Sequence, residues 1–159
     1  MANLKTYVDL EKSFDQIAEI ICSENFLVEI EKIREEVVDA KYTLINKTED
    51  ETVFEIATTG YKHNKKGEMD KSGTNTNIAE YIWNRKSQTI SVDYKGSGRI
   101  LISGTYHLQP EQGGTQLSFD ASIEVKIPVV GMLIASNIKK SMQKSFDTIA
   151  SRIAAINVS

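Results

Sequence analysis

Residues 115–127 read TQLSFDASIEVKI, and residues 128–156 continue as PVVGMLIASNIKKSMQKSFDTIASRIAAI. In the first stretch an apolar residue stands at every second position from Leu117 to Ile127, which is the period of a strand with one dry face. In the second stretch the apolar residues recur at intervals of three and four, as in an amphipathic helix, at Ile134, Ile138, Met142, Phe146, Ile149, Ile153 and Ile156. A helix of about 27 residues would extend roughly 40 Å and cross a whole domain. The two stretches therefore predict a strand and a long helix that turn their apolar faces toward each other.

Six further segments show the period-two alternation of half-buried strands. They cover residues 4–10, 38–44, 53–59, 78–85, 89–94 and 100–108. In the segment 78–85, Tyr81 and Trp83 share one face while Ile78 and Ile82 share the other. Its pattern leaves open which face is buried.

Two short helices are predicted between the first and second strands. Ser13 and Gln16 have the spacing of a capping box, in which each side chain bonds the other residue's backbone N–H. Apolar residues then recur at helical spacing from Phe14 to Ile21, and again from Phe26 to Ile33. By contrast, residues 60–77 are rich in Lys, Asn, Gly, Ser and Thr, which predicts a long exposed loop.

Composition limits what kind of protein this is. With 159 residues the chain fits one domain spanning residues 1–159, and 26% charged residues are typical of a globular protein. The net charge of −3 predicts no binding of nucleic acid. The single cysteine, Cys22, fits a reducing compartment, and the sequence shows neither an export signal nor a long apolar run. We therefore expect a cytoplasmic protein without stable membrane insertion.

Three short motifs in the last third of the chain resemble those of a known superfamily. They are ISGTYHLQP at 102–110, GTQL at 114–117 and VKIPVVG at 125–131. Together with the element order, they are similar to an uncharacterised bacterial branch of the START-like (SRPBCC) superfamily, which includes Bet v 1-like and polyketide cyclase-like proteins. The resemblance implies an α+β helix-grip fold: a seven-stranded curved antiparallel sheet around one long C-terminal helix, with two short helices after strand 1.

The resemblance also implies a cavity, because a bent sheet and a cylindrical helix cannot meet everywhere. The residues expected to face it and bind a ligand come from the sheet and the helix. They are Tyr42, Phe54, Ile56, Tyr81, Trp83, Tyr94, Tyr106, Phe119, Ile123, Ile134, Ile138 and Met142. Their composition predicts an apolar site with tyrosine hydroxyls that orient a polar group.

No residue stands out as catalytic. His63 falls in the predicted loop and His107 on the outer face of its strand, and two separated histidines make no metal motif. Cys22 has no activating neighbour in sequence and is expected to be a buried apolar residue. The acidic group of Glu29, Glu31, Glu35 and Glu36 is interpreted as solvated surface. We expect no cofactor and no metal.

Three functions remain open at this stage. The first is binding or transport of a small hydrophobic ligand, lipid-like or polycyclic. The second is a polyketide cyclase- or isomerase-like enzyme, which needs an ionisable group inside the cavity, with Glu80 and Asp93 as the candidates. The third is a protein-interaction module, which needs an exposed apolar patch, and the sequence identifies no such patch and no partner protein.

Overall fold

The structure is a computed structural model that describes residues 1–63, 68–96 and 98–156. Seven strands and three helices follow one another along the chain. They are β1 Ala2–Leu10, α1 Phe14–Ile21, α2 Phe26–Lys32, β2 Val37–Lys47, β3 Glu51–His63, β4 Met69–Asn84, β5 Thr89–Lys95, β6 Ile100–Glu111, β7 Gly114–Val125 and α3 Gly131–Ala155. The strands form one antiparallel sheet in the order β1-β7-β6-β5-β4-β3-β2. The predicted α+β helix-grip fold is confirmed.

The strict alternation of β7 places one face of that strand in the core. Leu117, Phe119, Ala121 and Ile123 are all buried, and the polar residues between them face outward. The long helix packs over β7 and β1 and buries its second half most deeply, through Phe146, Ile149 and Ile153. Its first half is less covered, with Gly131 and Ala135 as its buried residues. Ile156 lies beyond the helix as an exposed, extended cap residue.

The capping box predicted at the first helix is present. The backbone N–H of Gln16 donates to the Ser13 hydroxyl at 3.2 Å, and the Ser13 N–H donates to Gln16 Oε1 at 3.0 Å. These two bonds satisfy backbone donors that a helix start would otherwise leave unpaired. They fix α1 directly after β1.

The predicted loop over residues 60–77 is wrong, apart from residues 64–67, which lie outside the described residues. Strand β3 continues to His63 and β4 begins at Met69, with Gly60 paired to Asn75. The hairpin extends beyond the core, so both of its faces are polar and apolar alternation is lost. Cross-strand polar pairs replace it, such as the hydroxyls of Thr59 and Thr76 at 2.9 Å.

Burial shows which face of the segment 78–85 points toward the core. Ala79, Tyr81 and Trp83 are buried on the inner face of β4, while Ile82 is half-buried and Ile78 lies at the exposed margin. Tyr81 and Trp83 therefore face the core, as two of the twelve predicted site residues require.

Two glycines from the short motifs lie where another part of the chain comes very close to their backbone. A Cβ on Gly104, in the middle of β6, would lie 2.6 Å from Cζ of the Phe119 ring. A Cβ on Gly131, at the start of α3, would lie 2.9 Å from the carbonyl oxygen of Val125. The first glycine admits an aromatic ring against the sheet, and the second brings the long helix close to the end of β7.

Candidate functional site

A cavity of about 550 Å³ lies between α2, the middle of α3 and the inner face of the sheet. The helix contributes six residues, which are Ile138, Ser141, Met142, Ser145, Phe146 and Ile149. The sheet supplies residues from β2 to β7, and α2 closes one side with Leu27 and Ile30. Ser141 and Ser145 are the small members of this helix surface, and they fill less of the space over the sheet than larger side chains would.

The structure divides the twelve predicted ligand-binding residues into two groups. Seven of them line the cavity: Ile56, Tyr81, Tyr94, Tyr106, Phe119, Ile138 and Met142. The other five lie outside the cavity wall: Tyr42, Phe54, Trp83, Ile123 and Ile134. Contact with a ligand stays a prediction for these positions.

The five residues outside the wall are occupied by packing contacts. The Phe54 ring stacks between Tyr42, at 5.0 Å, and Tyr81, at 4.8 Å between ring centroids. The Tyr42 hydroxyl donates to the carbonyl of Cys22 at 3.3 Å, and the Arg85 guanidinium lies 4.0 Å from the Trp83 ring. Ile123 is fully buried, while Ile134 is half-buried near the start of α3. These contacts explain why Tyr42, Phe54 and Trp83 lie outside the wall of this cavity.

Three tyrosines on adjacent strands form the polar part of the wall. Tyr81 on β4, Tyr94 on β5 and Tyr106 on β6 lie on the inner face, and all three line the cavity. Burial raises the pKa of the Tyr94 hydroxyl to about 12, and the negative charge of Glu31 adds to the rise. Burial and the neighbouring hydroxyls likewise raise the pKa values of Tyr81 and Tyr106 well above the usual tyrosine value. At neutral pH all three therefore carry their protons and can donate hydrogen bonds.

A charged cluster from the end of α2 forms another part of the same wall. The Arg34 guanidinium bonds Glu31 Oε2 at 2.9 Å and Glu36 Oε1 at 2.6 Å, and all three residues line the cavity. Burial alone would raise the pKa of the Glu36 carboxyl, but a hydrogen bond from its own backbone N–H and the Arg34 charge hold it below its usual value. The interpretation of Glu31 and Glu36 as solvated surface is therefore wrong: the chain brings them to the cavity because α2 ends there.

Glu31 connects the charged cluster to the tyrosines. Its negative charge contributes to the raised pKa of Tyr81, Tyr94 and Tyr106 alike, and all four residues line the cavity. Sequence reasoning missed this residue because its neighbours Glu29 and Glu35 are exposed. One signal was available: Leu27, Ile30, Glu31 and Arg34 recur at intervals of three and four, so they share one side of α2.

The two histidines have different positions. His63 is exposed, lines the cavity and ends β3, so its predicted position in a loop was wrong. His107 is exposed on the outer face, with Nε2 3.7 Å from Asp120 Oδ2, as the strand period predicts. Only His63 belongs to the site.

Neither carboxylate named as a condition for catalysis lies in the cavity wall. Glu80 is on the outer face and bonds the Lys95 ammonium at 3.2 Å, and Asp93 is exposed. Cys22 is buried, and burial raises the pKa of its thiol to about 12, which makes it a poor nucleophile. Besides the tyrosines, the ionisable side chains of the described cavity wall lie at and just after the end of α2 and at the end of β3.

The described residues were also compared with what membrane-spanning helices and metal sites require. No described helix is long and apolar enough to cross a membrane. Across residues 1–63, 68–96 and 98–156 there is no group of three or more His, Cys, Asp or Glu side chains that could hold a metal ion. A cytoplasmic location stays a prediction.

One protein family covers nearly the whole chain. The family described as "Protein of unknown function (DUF2505)" matches residues 8–155. The chain belongs to this family. Comparison with curated proteins finds no match. Membership fits the expectation of an uncharacterised branch, and it leaves the function to be argued from the cavity.

Solved structures show the same fold at low sequence identity. A protein from Thermus thermophilus, TTHA0849, is 14% identical, with a TM-score of 0.62 over 96% of this chain and 94% of that one. A START superfamily protein from Mycobacterium smegmatis is 11% identical, with a TM-score of 0.57 over 95% and 98%. The Zhui aromatase/cyclase from Streptomyces sp. R1128 is 11% identical, with a TM-score of 0.52 over 96% and 86%. These likenesses show that the chain has the fold that the START-like resemblance implied.

Proposed function

We propose that this protein binds a small, largely apolar molecule in the cavity and directs one polar group of that molecule toward Tyr81, Tyr94 and Tyr106. The observation that carries the proposal is the cavity of about 550 Å³, whose apolar wall is interrupted by these hydroxyls. Protein sites for small organic ligands typically measure about 300–1,000 Å³ and combine an apolar lining with a few fixed polar groups. The cavity has both properties.

The charges in the wall favour a neutral ligand. Two basic residues of the wall could meet a ligand carboxylate: Lys62 is exposed near the end of β3, and the Arg34 guanidinium already bonds Glu31 and Glu36. A fatty acid would have to displace one carboxylate and accept the field of the other, which costs free energy in a partly buried site. A ketone, phenol or alcohol group, in contrast, can accept from the tyrosine hydroxyls and donate to Glu31 where it carries a proton. The ligand class we propose is therefore a neutral polycyclic or lipid-like molecule with at least one oxygen.

An enzyme acting in the same cavity is the second candidate, and Glu31 is the observation that favours it. Glu31, which bonds Arg34, lines the same cavity as three protonated phenols, so its carboxylate could take a proton from a substrate carbon while the phenols stabilise the resulting enolate oxygen. One structurally similar protein is named an aromatase/cyclase, and cyclisation of that kind needs such a proton transfer. We infer the role of Glu31 as a base only for this second candidate.

Ligand binding can be tested by titration with a matched set of three probes. The set contains a neutral polycyclic phenol, a sterol and a long-chain fatty acid, and binding is measured by calorimetry and by thermal shift. We expect binding of a neutral probe, and we expect Tyr94→Phe or Tyr106→Phe to weaken it about tenfold, the cost of one buried hydrogen bond. Tyr42→Phe is the matched control, because its hydroxyl bonds the backbone outside the cavity wall. Absence of binding by all three probes, or equal losses in Tyr42→Phe, would contradict the proposal.

The enzymatic alternative needs a separate measurement. A β-polyketone analogue is incubated with the wild type and with Glu31→Gln, and the products are followed by mass spectrometry. Turnover that falls at least about a hundredfold in Glu31→Gln, with the analogue still bound, supports a catalytic carboxylate. If the wild-type protein binds the analogue and the analogue is recovered unchanged, the enzymatic alternative is contradicted and binding remains the proposed function.

A further inference from the structure

Four apolar residues at the start of the long helix are exposed although the core is close by. Val129 is 101% exposed, Met132 86%, Leu133 64% and Val130 44%. We call these four residues the apolar tip. Most other exposed apolar side chains are scattered singly, apart from the pair Leu44 and Ile45, whereas the four of the tip fall within residues 129–133. Contiguous exposed apolar surface on a protein marks an interaction site.

The backbone at the tip holds an apolar side chain in an unfavourable conformation. Val129 has a φ of 72°, a region that β-branched residues rarely adopt. In this conformation its side chain is fully exposed, so folding of the chain itself does not compensate for the strain. Strain of this kind that brings no gain inside the protein points to a role outside it.

The surroundings of the tip are basic. Residues 126–146 contain four lysines and no Asp or Glu, although the chain as a whole has a net charge of −3. Among the described residues, Lys126, Lys139, Lys140 and Lys144 form no salt bridge. All four are exposed. A short positive surface therefore borders the apolar one.

The lysines of the helix lie at a distance that suits a lipid headgroup layer. Lys139 and Lys140 follow Met132 and Leu133 by seven residues, which returns to the same face of the helix about 10 Å further along. Amphipathic segments that bind membranes bury their apolar residues roughly 5–10 Å deep while their lysines contact anionic headgroups. Protein interfaces, in contrast, are depleted in lysine and enriched in aromatic residues, and the tip has no aromatic residue.

We propose that the apolar tip docks on the surface of an anionic phospholipid bilayer, with Lys126, Lys139 and Lys140 contacting the headgroups. Lys126, three residues before the tip, lies near the cavity wall: its N–H donates to the carbonyl of Arg99 at 2.6 Å, and the neighbouring residues Gly96 and Ile100 line the cavity. Docking would bring this part of the wall next to the lipid. The docking surface itself does not depend on which molecule the cavity binds.

The test is co-sedimentation of the purified full chain with vesicles of phosphatidylcholine alone or mixed with phosphatidylglycerol. We expect binding to the mixed vesicles only, weakening with added salt. Met132→Ser with Leu133→Ser should weaken it at least about tenfold, because two exposed side chains no longer enter the lipid. Lys139→Gln with Lys140→Gln should weaken it by about fivefold for each lysine. Leu44→Ser with Ile45→Ser is the matched control, since these residues on β2 are 50% and 52% exposed and should leave binding unchanged.

A second variant separates docking from folding. Val129→Gly removes an apolar side chain where φ favours glycine, so it should raise the melting temperature and still reduce vesicle binding. Equal binding to neutral and anionic vesicles, or unchanged binding after the Met132 and Leu133 substitutions, would overturn the proposal. So would sedimentation equilibrium that shows a dimer lost in the same double variant, because the tip would then belong to a contact between two copies of the chain.

Discussion

The inner face of the sheet has a packed half and an open half, and tyrosines occur in both. In the packed half, Tyr42 stacks on Phe54 and its hydroxyl bonds the Cys22 carbonyl. In the open half, Tyr94 and Tyr106 line the cavity. Residue type and strand period are the same in the two halves. What differs is the segment that lies above: the end of α1 covers the first, and small residues of α3 face the second.

The comparison teaches that an inward tyrosine becomes part of a site only where the opposite layer leaves volume. Tyr81 lies at the boundary, because it stacks on Phe54 at 4.8 Å and also lines the cavity. Substitutions on the two sides of this boundary should therefore differ in kind. Those in the packed half should reduce stability, and those in the open half should reduce binding.

The largest expected effect is on the packed half. Phe54 is fully buried, so Phe54→Ala should lower the free energy of unfolding by about 3–5 kcal/mol through lost burial and a new void. Ile102→Ala is the matched change in the open half, where one side of the residue already faces the cavity, and it should lower stability by only about 1 kcal/mol. Urea denaturation of both variants measures the difference. Equal losses would remove the distinction between the halves.

The next effect tests the aromatic ring that separates Gly104 from the cavity. A Cβ at position 104 would lie 2.6 Å from the Phe119 ring, so Gly104→Ala should cost about 1–3 kcal/mol and move the ring into the cavity. We expect both a lower urea midpoint and weaker ligand binding. Gly98→Ala is the control, since nothing lies within 4 Å of its Cβ position. A variant that lost neither stability nor binding would show that Phe119 can move aside freely.

A smaller effect should appear at alkaline pH. Burial raises the pKa of Cys22 from 9.0 to about 12, so the folded state retains a proton that the unfolded chain loses. The stability associated with this thiol is fully present below pH 9 and is lost as the pH rises toward 12, by about 1 kcal/mol at pH 10. Urea midpoints between about pH 8 and pH 10 should fall in the wild type and fall less in Cys22→Ala. Tyr94 in the open half, with a pKa raised from 10.0 to about 12, begins to contribute only above pH 10.

The smallest effect compares two hydroxyls directly. Tyr42→Phe removes a bond to the Cys22 carbonyl and should lower stability by about 0.5–1 kcal/mol without changing ligand affinity. Tyr94→Phe should do the reverse. Paired thermal melts and titrations of the two variants give both values. Equal losses of affinity in both variants would contradict the placement of the ligand in the open half.

Much of the fold follows from two periodicities. The alternation of residues 115–127 and the three-and-four spacing after Val130 predicted β7 and α3, and the bounds of the shorter elements agree within a few residues. The failure at 60–77 has a physical reason: a hairpin that leaves the core loses the apolar face on which alternation depends. Cross-strand pairing then holds the strands together, and pairing is not visible in a single sequence.

The site was less predictable than the fold. The period identifies which residues face inward, and it placed seven of the twelve candidates in the cavity wall. It carries no information on what lies opposite, so Tyr42 and Tyr94 were indistinguishable. Glu31 and Arg34 were missed because charged residues at the end of a short helix usually face solvent, and only the tertiary arrangement brings them to the cavity.

The position of β1 has a consequence for how the molecule is assembled. Among the described strands it pairs with β7 alone, with Leu4 opposite Ala121 and Thr6 opposite Phe119. During synthesis β1 must therefore wait, with an unpaired edge, until all six later strands have left the ribosome, because β7 is the last of them. Contacts so distant in sequence slow folding. We expect the joining of β1 to β7 and the docking of the terminal helix to form one late step, during which a nascent chain is most exposed to aggregation and most in need of chaperones.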